Sequence, residues 1–86
     1  MAVFEDKFID LHGAADAMAT ALKLENPRLI GVIARNTRVA LATHEGQSAD
    51  RRATQSLLLR QVERAAHDGA FAQAAPILSA FRSAVG

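Results

Sequence analysis

The side chains that could do chemistry are three histidines, nine carboxylates and a run of seven arginines between residues 28 and 64. His12 and Asp16 stand four apart, a spacing that lets two side chains touch on one helix face. Such a pair is more often a surface ion pair than a catalytic or metal site. His44-Glu45 and His67-Asp68 fall at expected helix ends, where a histidine sits favourably against the C-terminal dipole. No H-E-x-x-H, glycine-rich phosphate loop or nucleophile signature is present. The carboxylates are spread along the chain rather than paired as glycoside hydrolysis or a divalent cation requires. Without cysteine there is no thiolate, disulfide or cysteine-based zinc chemistry. The expectation is a protein that is not an enzyme and uses no metal or cofactor.

The arginines offer a different chemistry. Arg28, Arg35, Arg38, Arg51, Arg52, Arg60 and Arg64 outweigh Glu45, Asp50 and Glu63, giving residues 27–64 a balance of +4, whereas residues 1–26 stand at −3. The favoured use is internal, an acidic first helix lying beside basic middle helices. The alternative is a small nucleic-acid-binding or transcriptional regulatory protein, with R-N-T-R or D-R-R-A-T-Q on a recognition helix. Against it stand a net charge of only +1, the lack of a lysine cluster and the absence of any aromatic residue in 9–70 for stacking bases. The link H-E-G-Q-S-A-D is also long for a helix-turn-helix.

Four helices must position these groups. Phe4, Phe8, Leu11, Ala15, Met18 and Leu22 recur at 4-3-4-3-4 spacing, which predicts one helix over about 3–24 with Gly13 as a weak point in its middle. Asn26 as cap and Pro27 in the first turn predict a second helix over 27–45, stopped by Gly46. Its apolar arc takes in Leu29, Ile30, Val32, Ile33, Val39, Ala40 and Leu41, with Asn36 and Thr37 inside the arc and Arg28, Arg35 and Arg38 outside it. Ser48 caps a third helix over 49–67, ended by Asp68-Gly69. Its core stripe is Leu58, Leu59, Val62, Ala65 and Ala66, with Gln55 on the same face but reaching water. Pro76 predicts a loop over 70–74 and a last helix over 75–85, though a kink in one longer helix is the other option. The fold class is an all-α bundle of about four helices in a single domain, residues 1–86.

At 86 residues the core is thin, rich in alanine and holding only four aromatics, all phenylalanine. Burial against another chain would help so small a domain. The N-terminus is acidic early and lacks the apolar stretch of a signal peptide. Nothing approaches the ~18 apolar residues of a membrane span. A cytoplasmic protein with no membrane role is expected.

A helix turns about 100° per residue, so Leu57, Leu58 and Leu59 cannot all face one core. Leu57 points outward, beside Arg60, Gln61 and Arg64. An apolar contact ringed by arginine suits a protein interface. These four residues, with Asn36 and Arg38, are the candidate partner-binding positions. The partner is another protein, or a second copy in a homodimer.

Three stretches carry a family resemblance: L-I-G-V-I-A-R-N-T-R-V-A-L, S-L-L-L-R-Q-V-E-R-A-A and A-P-I-L-S-A-F-R-S-A-V-G. From about residue 27 onward the chain resembles the FlaF family, small helical proteins tied to flagellin production and export. Val39-Ala40 stand where that family carries a tryptophan. The resemblance implies a non-catalytic helper that binds flagellin or another flagellar component, with Asn36, Arg38 and Leu57 at the interface.

Overall fold

The computed structural model describes residues 10–44 and 46–86. They form four helices: α1 (Leu11–Lys23), α2 (Pro27–Ala42), α3 (Ala49–His67) and α4 (Phe71–Val85), with no strand among the described residues. Each helix packs on its sequence neighbours, and α4 closes the ring against α1. Short connections make successive helices antiparallel. This is the small all-α bundle expected, with three of its boundaries moved.

The first helix starts later than its apolar spacing predicts. Asp10 has φ −96° and ψ 84°, and its carboxylate accepts from the Gly13 N–H at 2.8 Å, capping α1 at Leu11. Residues 3–9, with Phe4 and Phe8 of the proposed seam, lie outside the described residues. Leu11, Ala15 and Met18 of that seam are buried. Gly13 is not a mid-helix weak point; it lies in the first turn, where an added Cβ would meet the Asp10 carboxylate.

α1 ends in two reverse hydrogen bonds, Asn26 N–H to the Ala21 carbonyl and Glu25 N–H to that of Leu22, both 3.0 Å. This is the Schellman arrangement, whose pivotal residue must be left-handed. Here that residue is Glu25, with φ +50°. Gly69, φ +78°, fills the same role after α3. α2 starts as expected, the Asn26 Oδ1 accepting from Leu29 N–H at 3.1 Å with Pro27 in the first turn. It stops at Ala42 rather than 44 or 45. Thr43 and His44 N–H turn back to the Ala40 and Leu41 carbonyls, so the last turn tightens before Gly46 is reached. α3 keeps its predicted bounds, with Ser48 accepting from Arg51 N–H at 3.2 Å.

The last helix overrides its proline. α4 runs from Phe71 with Pro76 inside it, and residues 71–74 are helix rather than loop. Pro76 cannot bond to the Ala72 carbonyl, but both residues are exposed and water can take that acceptor. Phe71 packs on the core and Ala74 is fully buried, which holds the first turn in place.

The core centres on Met18, Ile30, Leu41, Leu59, Val62 and Phe81, all fully buried or nearly so, with buried alanines on every helix letting the backbones approach. α2 contributes Ile30, Ala34, Thr37 and Leu41 to it. Leu29, Val32 and Val39, placed in the apolar arc by the sequence, face out, and Asn36 is exposed with them. Thr37 is buried as expected, its hydroxyl donating to the Ile33 carbonyl at 2.7 Å. On α3, Leu58 is only half-buried while Gln55, expected to reach water, is 0 % exposed. Gln55 exchanges two 2.8 Å hydrogen bonds with the Gln47 amide and donates to the Ala84 carbonyl at 2.9 Å. The α2–α3 link and the end of α4 close over it.

Candidate protein-binding surface

Most of the arginine run is absorbed within the bundle. Glu63 of α3 lies over Gly31 of α2 and accepts from Arg38 at 2.8 Å and Arg35 at 3.5 Å. Antiparallel packing sets the start of α3 beside the ends of α2 and α4. There Arg52 donates to the Ala42 carbonyl at 3.3 Å and Arg51 to that of Ala84 at 3.2 Å. Both arginines thus meet the negative end of a neighbouring helix. Of the expected acidic first helix, the described part packs on α2 and α4, and its carboxylate Asp16 pairs with Arg82 of α4 at 2.9 Å rather than with an arginine of the middle helices; Glu5 and Asp6 lie outside the described residues. Asp16 is thereby committed to α4 rather than to His12.

The predicted interface residues fall in three places. Leu57 is 54 % exposed and shares the outer face of α3 with Arg60, Gln61 and Arg64, all exposed. Arg64 lies 3.9 Å from Asp68, an open i,i+4 pair that holds it loosely. Arg38 differs, being largely covered and engaged with Glu63, so that it fastens α2 to α3. Asn36 is exposed on α2, a different helix from the one that carries the Leu57 group.

What Asn36 does border is a second apolar stripe that the sequence reading folded into the core. Leu29, Val32, Asn36 and Val39 recur at 3-4-3 spacing, one face of a helix. Leu29 is 38 % exposed, Val32 44 % and Val39 68 %. The signal was available: α2 carries two interleaved stripes, 29-32-36-39 and 30-34-37-41, and only one can face the bundle. A shallow cleft of about 570 Å³ runs beside the outer stripe along the α2–α3 seam, lined by Arg28, Val32, Arg35, Glu63 and His67 among others. A smaller one, about 290 Å³, continues it past Arg38, Arg60 and Arg64. Val32 of the stripe lines the first cleft, and Arg60 and Arg64 line the second, so members of both groups border the α2–α3 seam.

No three histidines, cysteines or carboxylates come together in a metal-holding group among the described residues. No described helix is long and apolar enough to cross a membrane. Comparison with protein-family models, curated proteins and solved structures finds no match to this chain.

Proposed function

We propose that the chain is a non-catalytic protein-binding module, an adaptor, chaperone or regulator that holds another protein on the outer faces of α2 and α3. The observation that carries this is the exposed run Leu29, Val32 and Val39 along one helix face, with Leu57 exposed on the neighbouring helix. Single exposed apolar residues are ordinary, but an aligned row beside arginines has the make-up of an interface. Apolar contact supplies affinity, and the arginines supply orientation. If the likeness to the FlaF family reflects kinship, the partner is flagellin or another flagellar component. The internal engagement of Arg38, Arg51 and Arg52 favours a protein partner over nucleic acid.

The test is capture from the native host with wild type, Val39→Glu and Leu57→Glu, alongside circular dichroism and melting. Both variants should fold with Tm near wild type, since neither side chain lies in the core. A protein retained by wild type should fall at least about tenfold with Val39→Glu, Leu57→Glu or both. A captured set identical in all three overturns the proposal, as does a large Tm loss showing that these residues are core.

A further inference from the structure

We infer that the outer stripe of α2 takes an amphipathic helix from a second protein, with carboxylates along the edge that faces α3. This rests on the protein-binding reading and names the partner's chemistry. The stripe from Leu29 to Val39 is about 15 Å long at ~1.5 Å per residue, a match for three turns of a docked helix. Apolar residues at 3-4-3 spacing are the anchors such a helix packs between. Asn36, polar in the middle of the row, fixes register in the way a single buried asparagine does in paired helices.

The α3 side of the stripe is basic. Along the α3 edge stand Arg28 and Arg35, with Arg60 further along the seam. Arg28 and Arg60 have no ion-pair partner among the described residues, and Arg35 remains 63 % exposed beside Glu63. Glu63, the carboxylate in that cleft, is already held by two guanidiniums. The edge therefore has positive charge to spare, and carboxylates on an incoming helix complement it. A second copy fits worse. Antiparallel pairing about the middle of the stripe matches Leu29 with Val39 and Val32 with Asn36, but it also brings Arg35 close to its own mate near the two-fold, a like-charge contact.

Two labelled 14-residue helical peptides test this, identical in their leucine core positions but with glutamate or lysine at the flanking edge positions. Each is titrated into the full chain at low salt and followed by fluorescence anisotropy. The glutamate peptide should bind at least about tenfold more tightly than the lysine peptide and weaken as salt rises. Val39→Glu should abolish its binding, and Arg28→Glu should narrow or reverse the preference. Arg35→Gln, which places no new carboxylate beside Glu63, should also narrow it. Equal binding of the two peptides, a lysine preference, or no binding overturns the inference. So does a wild-type dimer in sedimentation that Val39→Glu dissolves, since a second copy would then be the occupant. Equal peptide binding that Val39→Glu still abolishes leaves the protein-binding proposal standing. Loss of that proposal instead requires that host capture be indifferent to Val39 and Leu57.

Discussion

Gln55 shows how a polar side chain can be as much a part of the core as a leucine. It is fully buried, and burial of an amide is tolerated only when its hydrogen bonds are made. Both ends are satisfied, by Gln47 and by the Ala84 carbonyl. Gln55→Ala removes these bonds, strands the Gln47 amide, leaves the Ala84 carbonyl with Arg51 alone, and opens space at the closed end of the bundle. It should cost about 2–4 kcal/mol in denaturant unfolding, whereas Gln47→Ala, at the surface end of the same pair, should cost only about 1 kcal/mol. Comparable losses from the two would show that Gln55 is not the keystone. The sequence placed Gln55 on the core face but gave no sign of its partners, because Gln47 lies in the link and Ala84 comes from the far end of the chain. Arg38 is a similar case. Its neighbour Glu63 is 25 residues away, so spacing along one helix could not pair them.

Element boundaries follow local chemistry where a cap opens the helix and a stop follows it directly; at the end of α2 the turn tightens at Thr43, three residues short of Gly46. α3 has Ser48 before it and Gly69 after it, and its bounds were legible to the residue. α1 and α4 were less so, each for a nameable reason. Asp10 competes as a cap inside an apolar repeat that otherwise runs straight through it. Pro76 lost its usual authority because Phe71 and Ala74 anchor the turn before it and its orphaned carbonyl faces water. The end of α1 holds a testable weakness, since Glu25 occupies a left-handed position with φ +50°. Glycine adopts that conformation without the Cβ penalty. Glu25→Gly should therefore raise stability by up to about 1 kcal/mol, read as a higher denaturant midpoint with unchanged slope. A fall in midpoint would show that Glu25 contributes a contact outweighing its backbone strain.

Across the whole molecule, the fold class was readable from periodicity, while the inside–outside assignment of α2 was not. Its apolar arc is wider than the strip one helix can bury between two neighbours, and which half turns inward depends on helices elsewhere in the chain. The bundle takes the stripe holding Ile30, Ala34, Thr37 and Leu41 and leaves Leu29, Val32 and Val39 on the surface. The arginines were likewise legible as a group but not individually, because antiparallel packing decides which of them meet carboxylates and which meet helix ends. Together these placements leave one greasy row beside one under-neutralised edge. The most direct measurement is an ¹⁵N–¹H correlation spectrum of the full chain, titrated with the glutamate-edged peptide. Shifts should concentrate on Leu29, Val32, Asn36 and Val39, with Arg28 and Arg35 moving alongside and the helix contacts of α1 and α4 unaffected. Shifts centred on any other helix, or a spectrum that does not change at saturating peptide, would contradict the account.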